Sequence, residues 1–173
     1  MSRAGTIDGP QFARDRGTVS GALGIDALPR LAASGCEAAT VRYQVHGAVN
    51  AAGRPILAVE ASGVAMLACQ RCLDAVEFPV ALSVALELAA SEREIVEADD
   101  DVDRVLATNA MDVAALVEDE VLLVLPMAPM HERCEPDAGG RDANRAAPFA
   151  ALAGLRKGAG GDDIGGDIDD EGP

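Results

Sequence analysis

A two-residue rhythm runs through the middle of the chain. In "TVRYQV" (40–45), Val41, Tyr43 and Val45 fall on one side and Arg42 and Gln44 on the other. In "VEFPVALSVALEL" (76–88), Val76, Phe78, Val80, Leu82, Val84, Leu86 and Leu88 share a side. Successive side chains of a strand point to opposite faces, so this alternation predicts strands with one face buried. "TVSGAL" (18–23) alternates weakly and reads as a short strand, and "NAAGR" (50–54) as a turn. "PILAVEASGVAMLA" (55–68) reads as one long bent strand or two short ones about Gly63. Strands following one another through short connections pair antiparallel. Pro79 has no amide hydrogen to give a ladder, which places it at an edge or a bulge.

Elsewhere the period lengthens. "DALPRLAA" (26–33) predicts a short helix, with Asp26 as its N-cap and Pro29 in the first turn, where the missing N–H does no harm. "MDVAALVEDEVLLVLP" (111–126) is the strongest helical signal: Asp112 caps it, Val113, Leu116, Val117, Val121 and Val124 recur at helical spacing, and Pro126 ends it. "PFAALAGLRKG" (148–158) has Pro at a helix start, Phe149, Leu152 and Leu155 on one face, and Gly158 just past the end. The expected fold is therefore α+β: an antiparallel sheet of about four or five strands packed by a helix over 112–125, with short terminal helices. Residues 1–14 read as a flexible N-terminus and 15–157 as a single domain. Within that domain 89–111 reads as an irregular acidic loop, and 158–173 reads as a disordered acidic tail. The chain has one Tyr, three Phe and no Trp, so its core must be assembled from Ala, Val and Leu.

The net charge of −15 is concentrated. Residues 92–103 hold seven acids against Arg93, and 158–173 hold six acids and no base, so the body is nearly neutral. Such a chain has little with which to displace counterions from a phosphate backbone, and few aromatics on which bases would stack. Acidic runs of this kind either solvate the chain or attract a basic partner. The longest apolar run, "VLLVLPMAPM", is too short and too proline-rich to span a bilayer, and "MSRAGTIDGPQFARDRG" lacks a signal peptide's apolar core. The expectation is a cytoplasmic protein with reduced cysteines and no membrane association.

Catalytic motifs are mostly absent from the sequence: there is no G-x-S-x-G elbow and no phosphate-binding G-x-x-x-x-G-K-[ST]. "MHERC" departs from H-E-x-x-H because Glu135 stands where a second His belongs. His46 reads as an exposed or hydrogen-bonded strand residue. The chemistry rests with "LACQRCL" (67–73), which sets Cys69 and Cys72 two residues apart between strand patterns. A tight turn joining two strands suits a zinc knuckle, and Cys69, Cys72, His131 and Cys134 would complete a closed Cys3His site for structural zinc. Two other readings stand beside it: reduced thiols out of reach of one another, and a thiol-redox pair using Cys69 and Cys72, although no helix signal follows to lower a thiol's pKa. Cys36 is left over.

The string "LACQRCLDAVEFPV", then "DVAALVEDEVLLVLPMAPMH", a cysteine, and a late "PFAALAGLRK" resembles the YceD family of large ribosomal RNA subunit accumulation proteins. Cys69 and Cys72 match its first element. Asp112, Val117, Glu118, Asp119, Glu120, Leu125, Pro126, Pro129 and His131 match the second, and Pro148, Phe149, Ala150 and Leu152 the last. The resemblance implies a non-enzymatic factor for 23S ribosomal RNA accumulation and large-subunit biogenesis, bound to ribosomal RNA or to a basic ribosomal protein, with no small-molecule substrate. A general acidic protein-interaction module is the other binding reading. Glu118, Asp119 and Glu120 are too widely spread around a helix for all three to avoid its apolar stripe. Glu120 is expected to turn inward and pair with Arg42, Arg71 or Arg104. Glu118–Glu120 are candidate contacts for a basic protein, and Arg156 and Lys157 belong to a candidate patch for RNA.

Overall fold

The computed structural model of the chain describes residues 5–97 and 102–134. In chain order the elements are β1 (Thr6–Ile7), α1 (Gly9–Arg14), β2 (Thr18–Gly24), a 3-10 turn (Ile25–Ala27) and α2 (Pro29–Ala33). They are followed by β3 (Ala38–Val49), β4 (Pro55–Ala68), β5 (Ala75–Ala89), α3 (Glu92–Val96), β6 (Arg104–Leu106), β7 (Met111–Asp112) and α4 (Val113–Val124). The main sheet has the order β2-β3-β4-β5-β6, antiparallel except for the parallel β5–β6 pair, and β1 pairs with β7 in a separate two-stranded piece. The fold is α+β, as the alternation and the helical period together predict.

β4 is one continuous strand. Its alternation keeps phase across Gly63, and the β4–β5 register runs without a bulge from Ile56 opposite Glu87 to Ala68 opposite Ala75. Gly63 is present because a β-carbon there would collide with the carbonyl oxygen of Thr40 on β3. The inner face carries Val41, Tyr43, Val45, Leu57, Val59, Ala61, Ala65, Leu67, Val80, Leu86 and Leu88. Arg42, Gln44, His46, Glu60, Ser62, Ala81 and Ser83 face solvent on the other side, the usual division in an antiparallel sheet covered on one face. α4 buries Val113, Leu116, Val117 and Val121 against that inner face, each contributing on the order of 1.5–3 kcal/mol. Asp112 caps α4 by accepting from the amides of Ala114 and Ala115. Among the described residues no helix is long and apolar enough to cross a membrane.

Several expectations change. Within the segment read as a flexible terminus, α1 lies against β3 and β4, with the backbone of Phe12 and Ala13 set so closely on Gly47 that no side chain fits there. The segment 89–111 is not simply irregular: α3 carries the chain around so that β6 returns parallel to β5. "PFAALAGLRKG" and the tail 158–173 lie outside the described residues.

The largest correction concerns the acidic triplet. Asp26 sits in the 3-10 turn and does not cap α2; the N-cap is Leu28, which has no side-chain acceptor. Glu118, from α4, takes that role. Its Oε1 accepts from the backbone amides of Arg30 at 2.7 Å and Leu31 at 3.0 Å, and its Oε2 accepts from Arg30 Nε at 3.0 Å. Arg30 also reaches Asp119 and, at 3.1 Å, the carbonyl of Ala115. The buried carboxylate is therefore Glu118, only 2 % exposed, and not Glu120. Arg42, Arg71 and Arg104 do not pair with Glu120; Arg104 bonds Glu87 instead. Glu120 has no basic partner among the described residues, and its pKa is raised by partial burial and then by the charges of Asp103 and Asp119.

Replacing Glu118 by Ala leaves two amides without their acceptor, and chemical denaturation should show a loss of roughly 2–4 kcal/mol. Glu118→Gln retains one oxygen and should fall between. A carboxyl whose folded pKa is raised binds its proton more tightly when folded, so its ionisation opposes folding as pH rises through that window. Glu120→Gln should therefore raise the melting temperature at neutral pH, with the gain disappearing below the ordinary value of 4.5.

Candidate metal centre at the β4–β5 turn

Cys69 through Asp74 connect β4 to β5. The amide of Cys69 donates to the carbonyl of Asp74 and the amide of Leu73 to the carbonyl of Cys69, both at 2.9 Å, closing a compact turn. Leu73 takes the left-handed conformation this requires, at φ 65°. The turn directs the amides of Cys72 and Arg71 at the Cys69 sulfur.

The second pair of donors arrives from the end of α4. Pro126 and Pro129 prevent the helix from continuing, and the chain bends back across the turn. The amide of Gln70 donates to the Pro129 carbonyl at 2.8 Å, and Arg71 Nη1 reaches the Cys134 carbonyl at 3.4 Å. Cys69 Sγ and Cys134 Sγ stand 3.7 Å apart, and Cys72 Sγ lies 3.4 Å from His131 Nδ1. The four ligand atoms of Cys69, Cys72, His131 and Cys134 all lie within 4.8 Å of one another. A tetrahedral zinc ion with ordinary bond lengths would set sulfurs roughly 3.8 Å apart and sulfur and nitrogen roughly 3.5 Å apart. The donor set and its spacing fit such an ion. The long separation between the two pairs in sequence is no obstacle, because the β4–β5 hairpin and α4 end at the same place.

The surroundings of the cluster suit that use. His131 Nε2 lies 3.1 Å from the Ala75 carbonyl, which can only accept, so Nε2 carries the proton and Nδ1 presents its lone pair to the sulfurs. The amide of Cys72 holds the Cys69 thiol pKa down to about 5, helped by the amides of His131 and Arg71 and opposed by burial. For Cys72 the amide of Asp74 pulls down, but burial and the sulfurs of Cys69 and Cys134 push the pKa up to about 11. Three crowded sulfurs resist ionising together unless a cation joins them.

Cys36 is buried elsewhere, its sulfur 3.2 Å from the Ala38 carbonyl and its pKa raised by burial. His46 is exposed on the outer face, its Nδ1 2.9 Å from Thr18 Oγ1. Of the residues expected to meet a partner, Glu118 is withdrawn beneath α2, Asp119 is half exposed and engaged by Arg30, and Glu120 is partly buried. Arg156 and Lys157 lie outside the described residues. Sequence reasoning missed Arg30 and the Ala75 carbonyl. An uncapped Leu-Pro-Arg helix start was the available sign of the first, and nothing in the sequence marks the second.

Comparison with curated proteins and with solved structures returned no match. A family model described as "Large ribosomal RNA subunit accumulation protein YceD" matches residues 57–156, a span that opens in β4 and includes the turn, α4, His131 and Cys134. That match covers more than half of the chain, which belongs to the YceD family.

Proposed function

We propose that this chain promotes 23S ribosomal RNA accumulation and large-subunit biogenesis in the cytoplasm by binding a component of the assembling subunit, not by catalysis. The family match carries the reading. The net charge favours a basic ribosomal protein over RNA as the direct partner. We also propose that Cys69, Cys72, His131 and Cys134 hold a structural zinc ion. Bound there, the metal would supply a cross-link between the turn and the segment that follows α4, and nothing more: four protein ligands leave no position for water or substrate. The redox alternative is disfavoured by burial. The Cys69 sulfur is fully enclosed, whereas a thiol that attacks an external disulfide must be reached.

Elemental analysis of the purified protein should find about one zinc per chain, the stoichiometry of a closed four-ligand site. Cys72→Ser should remove most of it and lower the melting temperature, as should chelation of the unaltered protein. A metal-free protein with unaltered melting would refute the zinc assignment. Cells depleted of the protein should show a reduced ratio of large to small subunits on a sucrose gradient, and removal of 158–173 should leave that ratio intact. An unchanged ratio on depletion would refute the biogenesis reading, and a ratio lost with the tail alone would favour a general acidic interaction module.

A further inference from the structure

β5 runs the length of the sheet, but β6 covers only its end, pairing with Glu87, Leu88 and Ala89. The amide of Glu87 donates to the Asp103 carbonyl, and the Ala89 carbonyl accepts from Ala107. Odd-numbered residues of β5 thus turn their backbone groups away from β4. The unbroken register carries that orientation back along the strand through Ala85, Ser83, Ala81, Pro79 and Glu77. At the far end the Ala75 carbonyl is taken by His131. Between these two stops, from Glu77 to Ala85, the described residues leave an open strand edge, longer than the roughly 5–6 residues of an ordinary strand.

Edges of this kind are usually blunted by charge or proline. Pro79 and Glu77 do this for the first part; "ALSVAL" (81–86) holds neither. Ala81, Ser83 and Ala85 are small and exposed on the outer face, while Phe78, Leu82 and Val84 remain partly uncovered on the inner side. The charges flanking the edge are mainly acidic. Glu77 and Asp74 lie toward its start, and Glu92, Glu94, Glu97, Asp103 and Glu120 toward its end. Arg93 is engaged by Glu97, Arg54 and Arg104 are engaged by Glu87, and Arg71, in the turn at the start of the edge, is directed at the Cys134 carbonyl. The opposite edge, β2, is shorter, contains Gly21 and Gly24, and starts beside Arg14 and Arg16.

We infer that the β5 edge from Glu77 to Ala85 receives an extended, basic polypeptide segment as an added strand. The inference rests on the binding function proposed above and names its partner's chemistry. The main chain of the segment continues the ladder through the amides of Ala81, Ser83 and Ala85. Alternate apolar residues lie beside Phe78, Leu82 and Val84, and the residues between them bring positive charge to the acidic flanks.

The test uses the full chain and a labelled synthetic peptide alternating valine and arginine. It should bind saturably and weaken with salt, and aspartate in place of arginine should abolish binding. The Ala81→Pro/Ser83→Pro variant removes two edge amides without touching the β4 ladder, and should bind about tenfold or more weakly with little change in melting. Ala81→Lys, which leaves the backbone intact, should also weaken binding and serves if the proline variant folds poorly. Unaltered affinity in these variants, or no saturable binding by the parent chain, overturns the inference. So does a dimer that the variants dissolve without peptide binding, or a 23S RNA fragment whose binding they abolish while the peptide does not bind. In cells, if the edge variants restore a normal subunit ratio where an empty vector does not, the edge inference fails and the biogenesis reading stands. If the empty vector itself shows a normal ratio, the biogenesis reading fails first.

Discussion

The unbroken register between β4 and β5 is the constraint on which the rest of the molecule depends. A slip of β5 by one residue would turn that strand over, carrying Val80, Leu86 and Leu88 into water and Ala81 and Ser83 into the core. The same register fixes where the hairpin turns, and so where Cys69 and Cys72 stand. It also determines which backbone groups of β5 look outward, and it puts Pro79 opposite Val64, where the missing amide hydrogen costs the β4 ladder nothing. The place of the cysteine pair and the outward-facing backbone groups of β5 are two consequences of one pairing pattern.

A second dependence joins the helices. α2 is five residues long and starts without a capping side chain of its own, so in isolation it would be marginal. Glu118 supplies the missing acceptor from α4, and Arg30 answers its charge from the rim, half in solvent. A buried carboxylate is ordinarily costly; here two amides and a guanidinium replace its water. The Val-Glu-Asp-Glu run thereby acquires a structural cause for its first acid, independent of any partner. Asp119 shares Arg30, and Glu120 has no basic partner among the described residues.

The strands were legible because a period of two is a direct image of the pleat, and α4 because its apolar spacing and Asp112 agree. The pairing of the four metal-type side chains was legible as a possibility only, since spacing along a chain says nothing about which loop ends meet in space. What the sequence concealed was tertiary. A helical wheel drawn for α4 alone puts Glu120 against the stripe, and only the presence of α2 beside the helix makes Glu118 the enclosed one. Likewise "EREIVEADDDVD" carries enough charge to read as solvated loop, yet Arg104 folds back onto Glu87 and the short β6 pairs where three residues suffice. The structure of α1 was hidden for a related reason: its place is set by the absence of a side chain at Gly47, a signal with no periodicity at all.

His131 links the two functional readings. Its Nδ1 faces the sulfurs while Nε2 holds the Ala75 carbonyl, the first outward-facing group of β5. Anything that fixes the imidazole at the cluster therefore also closes one end of the strand edge, where Glu77 and Phe78 share a pocket with Pro126, Pro129 and Met130. A metal held there as proposed would have no open coordination position, yet it would set how much backbone β5 offers and where an incoming strand stops. The arrangement favours recognition by main-chain geometry and charge sign over recognition of a particular side chain. Such recognition suits a factor that meets extended basic polypeptide during assembly, before that polypeptide has found its final surroundings.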